Sequence, residues 1–382
     1  MIRVLINAVA LRGGGSESFL RGLLPELLRA DPGIAADLLV AHDRRHIYEA
    51  IDGRLSPIPV PTATLDSAGK RLWFEHAGLL RVLNSGRYDI CLRADEMVSP
   101  ASLLSGVPVV SVFHATQHLL IPEALGEGRL KTAYLRWARW AALRSSRVVV
   151  AVSHHERGEL AALFPFSGKK LRVIYHGIDR NLFRPAEGDG PRPSRAIGVD
   201  RYFFCASDRH VFKNYPRLIE AFALLCRSTE LDEHLVIAGR QRSAAEEERI
   251  ALAVERSGVR ARIHVMDYVP HDQLPAWYQG ATAYVFPSTF ETFGFTPLEA
   301  MACGVPVACS HWSAIPEVCG SAAEYFDPFA IEDIRRAMEI VATNARRRAD
   351  LRQLGLRRSA EFSWTRAARE YAALLRGICR PS

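Results

Sequence analysis

Short apolar segments alternate with longer amphipathic segments along most of the chain. The short segments have the length of buried strands, and the longer ones repeat apolar residues at the spacing of one helix face. In the first half, this pattern predicts strands near 2–7, 36–41, 88–92, 108–113, 147–152 and 171–175. It predicts helices near 16–29, 71–84, 129–144 and 154–163. Strands and helices in alternation favour parallel sheets with helices on both faces.

The alternation begins again after a segment of different composition. Residues 188–194 are rich in glycine, proline and charged side chains, which is typical of a connection between domains. Beyond it the pattern predicts strands near 202–206, 234–238, 261–266, 282–286 and 305–309, and a last helix near 364–378. We therefore predict two doubly wound α/β domains, 1–185 and 186–363, and a C-terminal helix in 364–382. If the carboxyl ends of their strands face each other, the two domains enclose a ligand-binding cleft.

The composition is that of an ordinary globular protein. A chain of 382 residues is long enough for two domains that each bury a core. We find no apolar run in the sequence long enough to cross a bilayer, and we expect the first residues to form a strand rather than a secretory signal. The seven cysteines are odd in number and lack paired metal-site spacing. We therefore expect reduced thiols in a cytoplasmic protein.

The net charge of +7 lies in the first half of the chain. Residues 1–185 contain 24 Lys and Arg against 17 Asp and Glu, whereas residues 186–382 contain 25 of each kind. A basic first half suggests an anionic partner, either a membrane surface or a phosphate-bearing substrate. The segment 129–144 combines arginines with tryptophans and could lie on an anionic membrane as a helix. The same spacing could instead bury Leu130, Tyr134, Trp137 and Leu143 in the core.

One stretch, 285–308, reads as strand, loop, helix and strand. Thr296 is a candidate helix N-cap with Pro297 at the first helical position. Amide groups at such a helix start have no partner within the helix and can receive a phosphate. Glu291 and Glu299 bracket the loop, and the hydroxyls of a nucleotide-linked sugar would suit both carboxylates. The alternative is a capping box, in which Glu299 bonds to the Thr296 amide.

The loop after the first predicted strand is rich in glycine. Gly13, Gly14 and Gly15 allow close approach of a ligand to the backbone, and the following helix start supplies amide donors. The loop does not follow the full dinucleotide-binding pattern, so a simple tight turn remains the alternative.

These segments together resemble the retaining glycosyltransferases of family four. The resemblance rests on the two glutamates of 285–308, which are separated by seven residues, on His-Gly-Ile-Asp at 176–179 with Phe-Arg-Pro at 183–185, on the segment 207–214, and on Phe-Asp-Pro at 326–328. It covers nearly the whole chain. It implies the GT-B fold, in which two Rossmann-like domains face each other across a cleft. The first domain would bind the acceptor, the second would bind the nucleotide sugar, and the C-terminal helix would return to the first.

The resemblance also implies an activity. Such an enzyme moves a hexose from a nucleoside-diphosphate sugar, of the GDP-mannose or UDP-hexose type, to a hydroxyl of a glycan or lipid-linked glycan. The expected setting is assembly of cell-surface polysaccharide or lipopolysaccharide. It implies a cytoplasmic enzyme, in peripheral contact with the inner face of the plasma membrane if the basic half docks there. It implies neither a metal, nor a cofactor other than the donor substrate, nor a nucleic-acid partner.

For the donor, the resemblance assigns roles to residues of the second half. Arg209 and Lys213 would stabilise the charge on the departing diphosphate. Glu299 would bind the ribose, and Glu291 would hold the transferred sugar without acting as a covalent nucleophile. Backbone groups of the loop would contact the phosphates and sugar, namely those of Phe293, Gly294, Phe295 and Thr296. Base contacts are expected around residues 267–270.

For the acceptor side, the expected residues lie at strand ends of the first half. His114 would contact the donor sugar and the incoming hydroxyl. The glycine-rich loop also fits the family, and Gly14 and Gly15 would approach the nucleotide sugar with their backbone. The family often has an aspartate after this histidine, whereas this sequence has Ala115. His118 is the alternative partner.

Two other functions use a similar fold and ligand. A non-hydrolysing nucleotide-sugar epimerase shares the fold and the donor, and a sugar-nucleotide-binding subunit could have lost its activity. Lys213, Glu291 and Glu299 argue for the transferase over both.

Overall fold

Two compact units make up the protein. The computed structural model describes residues 1–9, 15–49, 51–94, 104–114, 116–122, 125–126, 128–188 and 192–379. The first unit comprises Met1–Gly177 together with Ser363–Ser382, and the second comprises Ile178–Phe362.

A parallel sheet forms the centre of the first unit. Among the described residues it has seven strands in the order β3-β2-β1-β4-β5-β6-β7. The strands are β1 Ile2–Asn7, β2 Ile34–Ala41, β3 Leu55–Val60, β4 Ile90–Arg93, β5 Val109–Val112, β6 Val148–Ala151 and β7 Leu171–Val173. Its central strands β4 and β5 are buried throughout. Strands covered on both faces have near-continuous apolar sequences, which explains why the apolar runs located most of them.

Helices cover this sheet. They are α1 Gly15–Ala30, α2 Ala68–Trp73, α3 Leu79–Leu83, α4 Gln117–Leu120, α5 Arg129–Ser145 and α6 His154–Leu163. A π-helical turn, Phe74–Gly78, joins α2 to α3, so the predicted helix near 71–84 is one helix with a widened turn. Ser153 caps α6, where its hydroxyl accepts a hydrogen bond from the Glu156 amide at 3.0 Å.

The edge strand β3 was not predicted from the sequence. It contains Pro57 and Pro59, and proline has no N–H to donate to a neighbouring strand. An edge strand tolerates proline, because the backbone groups on its outer side need no partner. The two prolines made a strand here improbable from composition, and the position at the edge of the sheet is what allows it.

The last helix of the chain packs within the first unit. This helix, α14 (Trp364–Cys379), lies against α1, and a Cβ atom on Gly22 would stand 2.2 Å from the indole of Trp364. A Cβ on Gly177 would stand 2.1 Å from the Trp364 amide nitrogen. Arg376 forms an ion pair with Asp31. The two glycines therefore permit a close contact that a larger residue would push apart.

The second unit has the same architecture. Its described residues form six parallel strands in the order β10-β9-β8-β11-β12-β13. The strands are β8 Tyr202–Ala206, β9 His234–Ala238, β10 Ile263–Met266, β11 Ala283–Phe286, β12 Val307–Ser310 and β13 Ala323–Phe326. Helices α7 Tyr215–Ser228, α8 Ala244–Arg256, α9 Leu274–Gly280, α10 Phe295–Ala302, α11 Ile315–Cys319, α12 Ile331–Thr343 and α13 Ala345–Ala360 surround it. Two Rossmann-like domains are thus confirmed, although β13 was not predicted.

The division between the units precedes the predicted boundary after residue 185. Residues 178–185 belong to the second unit. There the ring of Phe183 is buried with its centroid 5.1 Å from that of His271 and 6.1 Å from that of Tyr278. The change in composition at 188–194 therefore lies beyond the point where the packing changes.

Candidate active site

The loops that follow β8, β11 and β13 are tied together in the second unit. After β8 the chain makes a single 3-10 turn that ends at Lys213. The Phe212 carbonyl accepts a hydrogen bond from the Thr289 amide at 2.7 Å. Asn214 has a left-handed backbone, with φ at 61°, and its side-chain amide donates to the Pro328 carbonyl at 2.7 Å. These bonds hold the backbone on both sides of Lys213 in place.

Lys213 and Glu291 form an ion pair in this position. The Lys213 Nζ lies 2.5 Å from the Glu291 Oε1, and the two side chains are only 12% and 14% exposed. The ammonium also lies 5.2 Å from the ring centroids of Phe212 and Phe286. A pair so shielded from water interacts more strongly than a surface pair, and its geometry is correspondingly fixed. Two of the predicted site residues, 78 positions apart, are thus in contact.

Ser313 holds the backbone of Glu291. Its Oγ donates to the Glu291 carbonyl at 2.7 Å and accepts from the Glu291 amide at 3.1 Å. Ser313 has φ at +59°, in the left-handed region that non-glycine residues rarely adopt. Such strain persists only where surrounding contacts enforce it, and it is often found at functional sites. The sequence gives no signal for this role, because a serine in a loop does not by itself indicate a left-handed backbone.

Helix α10 starts two residues earlier than predicted. Its N-cap is Gly294, with φ at 103°, and the helix begins at Phe295, so the prediction of Thr296 as N-cap is wrong. Glycine adopts this backbone without a steric penalty, which lets the chain enter the helix directly. A Cβ added to Gly294 would meet nothing within 4 Å, so the space beside the helix start is open. The first-turn amides of α10 have no partner within the helix.

Glu299 bonds to residues outside its own helix. Its side chain is buried, and its Oε2 accepts a hydrogen bond from the Tyr278 hydroxyl at 2.9 Å. His271 Nε2 lies 3.5 Å from the Oε1. Burial, and next the Glu299 charge, raise the pKa of Tyr278 well above its usual value, so the phenol remains a donor. The capping box is therefore wrong, because the N-cap is Gly294 and the carboxylate is directed to α9.

Arg209, the second cation predicted after β8, has several partners of its own. Its guanidinium is buried, with Nε 2.6 Å from the Glu247 Oε1. The Nη1 donates to the carbonyls of Met266, at 2.7 Å, and Gly239. Glu247 and the two carbonyls thus already compensate its charge. The sequence places Arg209 correctly after β8 but says nothing about these partners.

In the first unit, the predicted His114 contacts a second histidine. His114 follows β5, and its Nδ1 lies 3.2 Å from the Nε2 of His176. The two rings are stacked with centroids 5.1 Å apart. Phe19 packs against both, at 4.9 Å and 5.2 Å between centroids, and Trp364 packs against His176 at 5.6 Å. The pair thus sits in an aromatic setting at the carboxyl edge of the sheet.

Both histidines are neutral at physiological pH. Burial lowers the pKa of His114 to about 4. Burial, and secondarily the neighbouring His114, hold the pKa of His176 well below its usual value. In a pair of neutral imidazoles one nitrogen donates and the other accepts, so the contact selects the tautomer of each ring.

The remaining predicted residues are placed as follows. Gly15 is the first residue of α1. Gly14 and Ala115 lie outside the described residues. Phe293 is buried, with its ring 5.2 Å from that of Phe295 and 5.7 Å from that of Phe362. In the part of the chain that the structure describes, His, Cys, Asp and Glu side chains form no group of three or more that could hold a metal ion.

Two family models match the chain. Residues 13–182 match the model described as Glycosyltransferase Family 4, and residues 192–358 match the model described as Glycosyl transferases group 1. Together the two matches span most of both units. The fold and these matches define the class as glycosyltransferases with the GT-B fold. Within that class, the chain belongs to the family-four type.

Several curated proteins are similar in sequence. The O-antigen chain mannosyltransferase B of Escherichia coli is 28% identical over 67% of this chain and 66% of its own length. The D-inositol 3-phosphate glycosyltransferase 1 of Catenulispora acidiphila is 27% identical over 98% of this chain and 94% of its own. The lipopolysaccharide core biosynthesis mannosyltransferase LpsB of Rhizobium meliloti is 30% identical over 54% of this chain and 61% of its own.

Solved structures share the fold at lower identity. HepE of Anabaena in complex with UDP and glucose superposes with a TM-score of 0.78 at 18% identity, covering 99% of this chain and 100% of that one. Sucrose-phosphate synthase of Thermosynechococcus elongatus gives a TM-score of 0.74 at 19% identity, covering 99% of both chains. At these identities the likeness establishes the fold alone.

Proposed function

We propose that the protein is a retaining hexosyltransferase. It moves a sugar from a nucleoside-diphosphate sugar, of the GDP-mannose or UDP-hexose type, to a hydroxyl of a glycan or lipid-linked glycan. The product belongs to cell-surface polysaccharide or lipopolysaccharide. The observation that carries the proposal is the shielded Lys213–Glu291 pair in the same unit as the open start of α10. The similar mannosyltransferases of O-antigen and lipopolysaccharide core support the setting.

Lys213 is proposed to balance the charge of the leaving diphosphate. Phosphoryl oxygens would take the first-turn amides of α10 beside Gly294, Phe295 and Thr296, where the helix dipole favours an anion. An ammonium group at this point stabilises the charge that grows as the sugar departs. Much of the hydrogen-bonding capacity of Arg209 is used by Glu247 and two carbonyls, so Lys213 takes the main role. The buried Phe293 contributes only its backbone.

Glu291 is proposed to hold the transferred sugar. When the diphosphate engages Lys213, the carboxylate of the pair becomes available to accept hydrogen bonds from sugar hydroxyls. The two hydrogen bonds between Ser313 Oγ and the Glu291 backbone, called the Ser313 clamp below, keep the Glu291 backbone in place during this exchange. We assign Glu291 to positioning, and the acceptor hydroxyl attacks the face from which the phosphate leaves.

Glu299 is proposed to bind the ribose. Its carboxylate is oriented by the Tyr278 hydroxyl, and a carboxylate accepts hydrogen bonds from the two adjacent hydroxyls of a ribose. The base would then lie near residues 267–270, which follow β10 in the same unit.

His114 is proposed to contact the incoming acceptor hydroxyl and the donor sugar. A neutral imidazole accepts a hydrogen bond from a hydroxyl, and His176 sets which nitrogen does so. Gly15, the first residue of α1, is proposed to approach the ligand with its backbone, and the same role is proposed for Gly14 from the sequence alone. In this proposal the donor sugar is the only small-molecule requirement, with neither a metal nor another cofactor.

We also propose a peripheral contact with anionic membrane through α5. Leu130, Trp137 and Trp140 are 89%, 46% and 45% exposed, whereas Leu143 is fully buried. Burial of Leu130 and Trp137 in the core, the alternative from the sequence, is therefore wrong. Exposed tryptophans beside arginines are typical of interfacial helices. Among the described residues, no helix has the length and apolar composition needed to cross the membrane itself.

The membrane contact is tested by reversing the exposed charge on α5. Arg139 is buried, so Arg136 and Arg144 are the informative positions. The double variant Arg136→Glu with Arg144→Glu should lose flotation with phosphatidylglycerol vesicles while its unfolding temperature stays unchanged. Arg157→Glu, exposed on α6, is the matched control and should still float. Equal flotation of the α5 and α6 variants would remove the membrane contact from the proposal.

The function itself is tested with a panel of nucleotide sugars. A ligand that binds only the folded protein raises its unfolding temperature, so the correct donor is identified by thermal shift. Release of nucleoside diphosphate is then followed with and without oligosaccharide acceptors. A transferase releases it faster with an acceptor, whereas an epimerase isomerises the donor without one. Binding with no turnover under any condition would favour the inactive subunit.

A further inference from the structure

Two large aromatic side chains of the second unit are half exposed beside each other. Trp312 and Phe329 are 47% and 49% exposed, with ring centroids 5.5 Å apart and planes at 88°. Trp312 follows β12 and Phe329 follows β13, so both lie at the carboxyl edge of the sheet. Single exposed apolar residues are common, but an adjacent pair at the ligand-binding edge of an α/β sheet is a candidate contact surface.

Polar side chains flank this pair at both ends. The Arg217 guanidinium carbon lies 5.7 Å from the Phe329 ring centroid, and the His311 ring lies 5.9 Å from that of Trp312. His311 is exposed, and its Nδ1 lies 2.9 Å from the Phe326 carbonyl. We call these four residues, His311, Trp312, Phe329 and Arg217, the aromatic row.

The backbone under the aromatic row is held in place. The Trp312 amide donates to Ser310 Oγ at 3.1 Å, and the Phe329 amide donates to Asp327 Oδ1 at 2.9 Å. Because side-chain acceptors fix both loops, the rings need little ordering when a ligand binds, which lowers the entropic cost of binding.

Two members of the aromatic row are adjacent to residues of the proposed active site. Trp312 directly precedes Ser313, whose hydroxyl bonds to the backbone of Glu291. Arg217 donates to Asn214 Oδ1 at 3.0 Å, and Asn214 directly follows Lys213. A ligand on the row would therefore lie next to the residues that hold the donor.

We propose that the aromatic row binds sugar units of the acceptor glycan adjacent to the one that receives the transferred sugar. A hexose ring has an apolar face of C–H groups that packs on an aromatic ring, and its rim of hydroxyls suits the guanidinium of Arg217 and the imidazole of His311. The inference rests on the proposed transferase function and adds to it a preference for longer acceptors. A protein partner would not require hydroxyl-binding groups at both ends of the row.

Acceptor length is the variable that tests this inference. The donor identified by thermal shift is used with methyl α-mannoside and with α-linked mannotetraose as acceptors. For the wild type, KM should be about fivefold lower for the tetrasaccharide, the equivalent of roughly 1 kcal/mol for one stacked sugar. In the double variant Trp312→Ala with Phe329→Ala that ratio should fall to about one, while KM for the monosaccharide and the thermal shift by the donor stay unchanged.

A control and a direct binding measurement complete the test. Trp73→Ala is the matched control, because Trp73 is 53% exposed with Arg81 5.8 Å from its ring. Titration with mannotetraose or maltotetraose should change tryptophan fluorescence in the wild type and in Trp73→Ala, but not in Trp312→Ala. The inference is overturned by a wild type without length preference or fluorescence change, or by a variant that keeps both. Absence of turnover with every nucleotide sugar would instead count against the transferase function.

Discussion

The carboxyl edges of the two sheets carry different chemistry. In the second unit the predicted residues form charged contacts, with Lys213 on Glu291 and a tyrosine hydroxyl on Glu299. In the first unit the corresponding edge carries His114 stacked on His176, and burial keeps both rings neutral. The difference suggests a division of work. In the proposed function, the fixed charge would stabilise an anionic leaving group, and the neutral hydrogen-bonding groups would receive a hydroxyl.

The difference also follows from how each group tolerates burial. In the second unit, the carboxylate and the ammonium lie at hydrogen-bonding distance, so each compensates the charge of the other. In the first unit, burial is the main cause that lowers the pKa of both stacked histidines and so favours the neutral rings. Each of the following predictions concerns a variant that removes one side chain from one of the two sheet edges.

The largest effect is expected when Lys213 is removed. Lys213→Ala should lower kcat by about 10²- to 10³-fold, because a preorganised group that stabilises developing negative charge is lost. The release of nucleoside diphosphate measures this directly. Arg260→Ala removes a cation of the same unit that is 72% exposed, and it should leave kcat unchanged. Comparable activity of the two variants would remove Lys213 from the chemistry.

Loss of Glu299 should weaken donor binding. Glu299→Ala is expected to raise the donor dissociation constant by about 10- to 100-fold, because hydrogen bonds to a charged group contribute roughly 1.5–3 kcal/mol. Tyr278→Phe should show a smaller increase, since it removes only the group that orients the carboxylate. Titration calorimetry with the donor gives both values, and Glu255→Ala, at an exposed glutamate, is the control. An unchanged dissociation constant in Glu299→Ala would contradict the ribose assignment.

Lys213 and Glu299 show how much of the candidate site could be predicted from the sequence. The glutamate spacing and the Lys213 segment singled out Lys213 and Glu291, which the structure brings into contact, because strand ends and helix starts leave a local pattern. The contact of Lys213 with Glu291, the partners of Arg209 and the clamp by Ser313 depend on residues far apart in the chain, and local patterns do not encode them. For Glu299 the local pattern was misleading. Thr296 has the side chain of a typical N-cap, but Gly294 is the N-cap because glycine can adopt the positive φ that this position has.

The neutral pair of the first unit should make stability depend on pH. The folded pKa of His114 is about 4, below its ordinary value, so stability is full above about pH 6.5 and declines as pH falls toward 4. We expect the unfolding free energy to fall by about 1–2 kcal/mol across this range from His114, beyond what the carboxylates contribute. Denaturant unfolding of the wild type and His114→Gln measures the difference. His46→Gln, at an exposed histidine, should follow the wild type. If His114→Gln shows the same pH slope, the buried neutral pair is not the source.

The smallest effect is expected at Ser313. Ser313→Ala should lower kcat by about fivefold, the equivalent of roughly 1 kcal/mol for a lost hydrogen bond, and should leave donor affinity unchanged. Ser313→Gly relieves the left-handed backbone, so it should unfold at the same or a higher temperature and still show the reduced kcat. Ser321→Ala, exposed nearby in sequence, serves as the control. Full activity in Ser313→Gly would show that the clamp does not position Glu291.

The central claim is transfer of a sugar from a nucleotide donor with retained configuration and without a metal. Proton NMR of a single reaction tests it, with the donor selected by thermal shift, a mannose oligosaccharide and excess EDTA. We predict a new glycosidic anomeric signal of the same configuration as the donor, together with release of one nucleoside diphosphate for each linkage formed. An inverted anomer, or nucleoside diphosphate released without a new linkage, would contradict the account.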